Sequence, residues 1–322
     1  MNNPLLSIIV PAYNSGIYIS SLLSKLITQG LEDCEVIVVN DGSTDQTESV
    51  VKLYAENNKA IKLITIPQSG VSVARNTGIK HAIGKYIYFL DTDDALSAGT
   101  IGFYKKLLKE KVETDVLTFG YISSVNGRRY KNYTYKKYND RLFDNVQFLE
   151  MFLSKYINCH ICSVIISRSF LEECNVLFTE GLKIGEDIEF LLKLFLNAKT
   201  IFYSSRLCFI YQIRNDSVMQ GYKTFSEERL DSFNKIKDIV LEITGKYRFI
   251  SKNAWFYPAN YYCLNLYYYL RAKYKNDGIN SMFTENRKIL YNNMTGKSFN
   301  FFIIRIIRFI PIKWLFCIFR KN

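Results

Sequence analysis

Apolar residues fall in short runs along the first hundred positions, and polar segments bearing glycine or proline separate them. Leu6-Ser7-Ile8-Ile9-Val10 reads as a strand closed by Pro11. Residues 17–29 instead carry Ile19, Leu22, Leu23, Leu26 and Ile27 at helical spacing, with Gly30 as the stop. Glu35-Val36-Ile37-Val38-Val39 predicts a second buried strand, ending at Asn40-Asp41-Gly42-Ser43. Thr44 or Asp45 is placed to cap a helix over 45–57. A third strand follows over 61–66, a helix from Ser69 or Gly70 to about Ala82, and a fourth strand over 86–91.

Strands alternating with helices imply right-handed crossovers and an α/β fold with a mainly parallel sheet. Ligands of such sheets gather at the C-terminal ends of the strands. Pro11–Asn14, Asp41–Ser43 and Asp91–Asp94 all lie at such ends, on three different strands. Beyond residue 95 the pattern predicts helices near 98–110, 144–155, 186–197, 226–243 and 255–275. It adds a strand near 115–122 and a basic, Tyr-rich loop or hairpin over 126–138. Four regions result: 1–95, 96–220, a helical extension over 221–298 and an apolar, basic tail over 299–322.

Composition narrows the class. A chain of 322 residues, 48% apolar and 22% charged, buries a full globular core. The net charge of +12 is unevenly placed. Residues 1–95 carry 7 basic and 10 acidic side chains, and the remainder 35 basic and 20 acidic. The basic character therefore points to an anionic surface or substrate met by the later part of the chain. Seven scattered cysteines suit a reduced, cytoplasmic setting better than a disulfide framework. No basic region precedes the apolar residues 5–10 and Pro11 follows at once, so no secretory leader is expected. Cys159-His160-Ile161-Cys162 lacks a second ligand pair at zinc spacing, which favours buried thiols over a zinc site.

The chemistry concentrates at the strand ends. Asp91, Asp93 and Asp94 follow the apolar run Tyr86–Leu90, and carboxylates this close repel one another unless a cation sits among them. Tyr13 offers a face to stack a nucleobase, or covers the sheet edge. Asp41 can accept hydrogen bonds from a base or ribose, or serve its own turn. Ser69 and Arg75, near a helix N-terminus, make an anion-friendly patch; alternatively Arg75 pairs with Asp91 or Asp93 and holds the acidic turn in shape. No Gly-x-Gly-x-x-Gly follows the first strand and no Gly-Lys-Ser/Thr occurs, which disfavours a dinucleotide site and excludes a P-loop.

Four blocks together resemble the family 2 glycosyltransferases of GT-A fold: residues 7–14 (SIIVPAYN), 36–45 (VIVVNDGSTD), 70–78 (GVSVARNTG) and 86–94 (YIYFLDTDD). The resemblance implies that the half over 1–95 binds a nucleotide sugar and the half over 96–220 faces the acceptor. It implies that Pro11, Ala12, Tyr13, Asn14, Asp41, Ser69, Arg75, Asp91 and Thr92 surround the donor, and that Asp93 with Asp91 meets Mn²⁺ or Mg²⁺. It extends to Gly185–Phe190, where Asp187, beside Glu186, would be the general base that takes a proton from the attacking sugar hydroxyl. It reaches a later segment, 211–217, in which Arg214 would meet the diphosphate and no histidine is present. The implied activity is inverting transfer of a hexose or N-acetylhexosamine from a UDP-sugar to a glycan or lipid-linked saccharide in capsule, O-antigen or other surface-glycan synthesis. A catalytically silent nucleotide-sugar or glycan-binding module is the alternative. A haloacid-dehalogenase-like phosphatase is disfavoured, because Ala95 stands where its threonine belongs and the Asp-Thr-Asp follows the fourth strand rather than the first.

The tail over 299–320 is strongly apolar, is split by Pro311 and carries Arg305, Arg308 and Lys313, too many charges for a bilayer span. This suits a peripheral segment on the anionic inner face of the plasma membrane. A helix docked on the catalytic domain, or a homo-oligomer contact, is the competing reading. No nucleic-acid partner is expected.

Overall fold

The computed structural model describes residues 3–110, 114–125, 127–213, 225–247, 254–272, 276–292, 294, 299–312 and 314–315. The chain divides into two compact units, Met1–Asn145 with Ile157–Arg214, and Val146–Tyr156 with Asn215–Asn322. The short excursion of Val146–Tyr156 into the second unit is not marked in the sequence pattern.

In the first unit, β1 (Leu6–Ala12), β2 (Cys34–Asp41), β3 (Ile61–Ile66) and β4 (Tyr86–Phe89) alternate with α1 (Gly16–Thr28), α2 (Thr47–Asn57) and α3 (Val71–His81). These strands pair in the order β3-β2-β1-β4, all parallel. Gly78 brings α3 close to β1: a Cβ there would meet Ile9 Cγ2 at 2.3 Å. The expected elements are present with shifted ends. Pro11 does not close β1 but lies within it, opposite Val39. It is tolerated because β1 loses its β4 partner after Ile9↔Phe89, leaving one side of the strand without a ladder to interrupt. α2 begins at Thr47 rather than 45, and Asp45 accepts from both Thr47 N (2.9 Å) and Thr47 Oγ1 (2.5 Å) just ahead of it.

The other half of the sheet is mixed. The unit continues with β5 (Ala95–Leu96), α4 (Thr100–Glu110), β6 (Val116–Val125), β7 (Arg128–Tyr133) and β8 (Arg141–Phe143). After α5 (Asn145–Leu153) come β9 (Val164–Ser167), α6 (Arg168–Cys174), α7 (Glu186–Asn197) and β10 (Ile201–Ile213). β9 is antiparallel to both β4 and β6, so β6 runs parallel to β4, and β10 runs parallel to β6. The C-terminal ends of β1, β2, β4, β6 and β10 therefore share one edge. β6 and β7 form the expected hairpin.

The second unit is helical. Its core gathers Phe233 and Ile236 from Glu228–Lys246, Tyr262 and Tyr269 from Phe256–Arg271, and Phe283 from Asp277–Asn286. Much of the tyrosine-rich helix Phe256–Arg271 is thus core, and two of its hydroxyls are satisfied: Tyr262 donates to Phe283 O at 2.8 Å and Tyr269 to Asn276 O at 3.0 Å. Helix Phe299–Phe309 packs on this unit through Ile304. No helix among the described residues is long and apolar enough to cross a membrane.

Candidate active site

Three loops at the shared strand edge are tied to one another. Asn14, at φ 45°, donates its backbone N–H to Ser43 Oγ (2.9 Å) and accepts from Thr44 N at Oδ1 (2.8 Å). Thr92 Oγ1 donates to Ser15 Oγ at 2.9 Å, which joins the acidic turn to the end of β1. Tyr13 projects from this corner, 45% exposed, and Ala12 is buried beneath it. Asp41 is buried and spends both oxygens on the loop that leads into α3, accepting from Ser69 N (2.6 Å) and Gly70 N (2.8 Å). These bonds serve neither its own Asp-Gly turn nor a ligand: they fasten the end of β2 to the loop that leads into α3. Gly42, at φ 67°, stands where a Cβ would meet Gln68 N at 2.6 Å.

Arg75 is the centre of the site. α3 carries it beneath the surface, 2% exposed. Its Nη2 donates to Asp91 Oδ1 at 3.0 Å and its Nη1 to Asp187 Oδ1 at 2.6 Å, with Glu186 Oε1 3.6 Å away. The guanidinium lies 5.1 Å from the centre of the Phe178 ring, and Nε is buried without a hydrogen bond. Phe178 is fixed by Asn76, which donates from Nδ2 to Phe178 O and accepts from Phe178 N, both at 2.9 Å. The arginine thus fastens α3 to the turn after β4 and to the first turn of α7. Its pairing with Asp91 was one of the two sequence alternatives; its pairing with Asp187 was not foreseen.

One cation faces three carboxylates, and the proton affinities of Asp91 and Glu186 move in opposite directions. Burial raises Asp91, but the charges of Arg75 and His160 and the hydrogen bonds from Arg75 and Cys162 together outweigh it and hold the carboxyl below its usual range. Burial, then the charge of Asp187, pushes Glu186 up to about 8. Burial disfavours the charged Arg75, yet Asp187, Asp91 and Glu186 together hold its proton more tightly than usual.

Beside the turn lie His160, Cys162 and Asp94, which the sequence offered only as part of a zinc motif and as a third carboxylate. His160 stacks on Phe209 and packs against Tyr211, each with ring centres 4.9 Å away. Its Nδ1 accepts from Cys162 N at 3.2 Å, which places the neutral ring's proton on Nε2. Burial lowers its proton affinity against the attraction of Asp187 and Asp91. Cys162 donates its thiol to Asp91 Oδ2 at 3.6 Å, and burial keeps that thiol protonated. Asp94 is buried and accepts from Gln212 N at 2.8 Å. Among the described residues, the cluster with ligand atoms within 4.8 Å of one another is Asp91, Asp94 and Cys162, with Asp94 in the place expected of Asp93. Arg214 lies outside the described residues.

Residues 7–173 match the model of glycosyl transferase family 2. The uncharacterized glycosyltransferase EpsJ of Bacillus subtilis (strain 168) is 31% identical over 70% of this chain and 67% of its own length. The poly(ribitol-phosphate) beta-N-acetylglucosaminyltransferase TarS of Staphylococcus aureus (strain Mu50) is 29% identical over 74% of this chain, which spans only 40% of it. The crystal structure of S. aureus TarS 1-349 in complex with UDP-GlcNAc superposes with a TM-score of 0.65 and 25% identity, covering 89% of this chain and 83% of that one. The chain belongs to glycosyl transferase family 2: it is a glycosyltransferase of GT-A fold and of the type that builds bacterial surface polysaccharides.

Proposed function

We propose that this glycosyltransferase moves a hexose or N-acetylhexosamine from a UDP-sugar to a saccharide or lipid-linked saccharide, with inversion at the anomeric carbon. The observation that carries the reading is Arg75, which holds the acidic turn and Asp187 on one buried cation at the ligand-binding edge of the sheet. The nucleotide of a donor would lie along Pro11–Asn14, with Tyr13 free to stack on the base and Asp91 and Thr92 near the ribose. UDP-GlcNAc in the TarS complex supports the donor class.

Asp187 would be the base. Its Oδ1 is held by Arg75, which turns the carboxylate and leaves Oδ2 to take the proton of the acceptor hydroxyl as that oxygen attacks. Glu186 at about 8 is protonated at neutral pH and suits a hydrogen-bond donor rather than a proton acceptor. The site fits a hard divalent cation. The carboxylates of Asp91 and Asp94 lie with the Cys162 thiol within 4.8 Å of one another, and paired carboxylate oxygens suit a hard cation. Asp91 with Asp94, or with Asp93 as the family resemblance implies, would hold Mn²⁺ or Mg²⁺, and Gln212 N fixes Asp94 in the turn. Such an ion offsets the charge of the departing diphosphate.

The tail would rest on an anionic membrane face. Ile304 and Ile312 turn inward, while Phe302, Ile306, Phe309 (79% exposed) and Trp314 (67% exposed) face out beside the exposed Arg305. Sedimentation with phosphatidylglycerol vesicles, lost in a chain ending at residue 298, tests this placement. A panel of nucleotide sugars tests the activity. Release of UDP from a UDP-sugar, dependent on Mn²⁺ or Mg²⁺, is expected; a protein stabilised only by purine nucleotide sugars, or by none, overturns the reading.

A further inference from the structure

The edge that carries the acidic turn also carries the β6–β7 hairpin, and the hairpin is basic. Arg128, Arg129 and Lys131 are exposed, and none makes an ion pair among the described residues. The pairing is interrupted at one point. Ser123 lies opposite Lys131, but Ser124 lies opposite Arg129, so Tyr130 is an extra residue in β7. Such a bulge reverses the alternation of faces. Lys131 and Tyr133 share the face of Ser123 and Tyr121, and beyond the bulge Arg128, opposite Val125, returns to that same face. Without the bulge, Arg128 and Lys131 would point to opposite sides of the sheet.

That face leads back to the site through aromatic rings. Lys131 Nζ lies 4.8 Å from the Tyr133 ring centre. Tyr133 stacks on Tyr121 at 4.5 Å. Tyr121 is 5.9 Å from His160, and His160 is 4.9 Å from Tyr211. Tyr211 belongs to the surroundings of the acidic turn: burial, then the charges of Asp94, Asp93 and Asp91, push its phenol up to about 12. Two strand spacings, about 10 Å in all, separate the β10 backbone from that of β7. The order from the carboxylates outward is Tyr211, His160, Tyr121, Tyr133 and then the cation Lys131.

We propose that this wall is the acceptor subsite and that the acceptor is an anionic glycan, with a phosphate or carboxylate one or two units away from the hydroxyl that attacks. Sugar rings lie against Tyr211 and Tyr133, and Arg128 and Lys131 take the anionic group. The inference rests on the glycosyltransferase reading of the same site and adds the class of acceptor. Arg128 contributes a planar fork suited to a phosphate or carboxylate, and Lys131 a point charge beside it.

Binding of three size-matched oligomers tests the proposal: oligo(glycerol phosphate), oligogalacturonate and neutral maltooligosaccharide. Calorimetry is run on the full chain and on Arg128→Gln/Lys131→Gln. At least one anionic oligomer is expected to bind the unaltered chain, more weakly as salt rises, and the neutral one to bind far more weakly. Comparison of the two anionic oligomers identifies the phosphate or the carboxylate as the preferred group. The double variant should lose about tenfold or more in affinity for it, and Arg128→Lys/Lys131→Arg should recover most of that loss. Melting of the double variant at the temperature of the unaltered chain ascribes the loss to the two charges. Equal binding of neutral and anionic oligomers, or undiminished binding by the double variant, overturns the proposal. So does equally tight binding of a single-stranded oligonucleotide, which would mark a surface without selectivity for glycans. UDP titrated into the unaltered chain is read separately: absence of UDP binding counts against the donor reading and leaves the hairpin result intact.

Discussion

Two buried charges lie at opposite ends of the parallel strands, and they are solved differently. At the N-terminal end, Glu35 accepts from Ser7 Oγ (2.5 Å), Ile83 N (2.8 Å), Gly84 N (3.2 Å) and Lys62 Nζ (2.7 Å). One carboxylate meets one cation and three neutral donors, and burial is outweighed so that its proton affinity falls below the ordinary value. At the C-terminal end, Arg75 meets three carboxylates, and the surplus appears as Glu186 at about 8. The first network is complete and holds strands together. The second is left with negative charge to offset, as a site that receives a cation and releases a diphosphate requires. Burial alone does not mark a functional charge; an unbalanced burial does.

The largest separation of the two networks should come from Asp187→Asn. Turnover is expected to fall ~10²–10⁴-fold while UDP still stabilises the protein. If Glu186→Gln falls that far and Asp187→Asn does not, the roles of the two carboxylates are exchanged. Next comes Arg75→Met. Three carboxylates would then share the site without their cation, and stability should drop by about 3–5 kcal/mol at neutral pH, read from the urea midpoint. Part of that loss should return on acidification, as the carboxylates neutralise; a loss independent of pH would mean that packing against Phe178, not charge, is what Arg75 supplies. Glu35→Ala should be milder, about 1–3 kcal/mol in all, with UDP release per folded molecule unchanged.

What could be read beforehand follows the range of the interactions. The strand–helix alternation and the three loops are local patterns, so Asn14, Asp41 and Asp91 were placed at one edge from spacing alone. The bond from Arg75 to Asp187 spans 112 residues and leaves no local trace. β10 was missed because Ser204, Ser205 and Arg206 break its apolar alternation, and the structure shows irregular pairing at that point. β9 is four residues long, too short to declare itself. His160 and Cys162 were weighed as a zinc motif, a question that concealed their packing behind the acidic turn. Asp94 was visible as a third carboxylate, but only the fold shows that it is buried and bonded to Gln212.

The smallest expected effect is also the most specific, because the two networks depend on pH with opposite sign. Glu35 has a folded proton affinity below its unfolded value of 4.5, so its contribution is present above that pH and is lost as pH falls through the folded value. Glu186 is raised from 4.5 to about 8, so its contribution is full below 4.5 and is lost as pH rises towards and through 8. Glu186→Gln keeps the neutral shape and removes the titration. Its melting temperature should lie close to that of the unaltered protein near pH 5 and exceed it near pH 9. Glu35→Gln should instead melt below the unaltered protein by a constant margin at neutral and alkaline pH, with the gap closing as pH falls below 4.5. If Glu186→Gln shifts the melt equally at pH 5 and pH 9, the Arg75 cluster is balanced after all, and the contrast between the two ends of the sheet disappears.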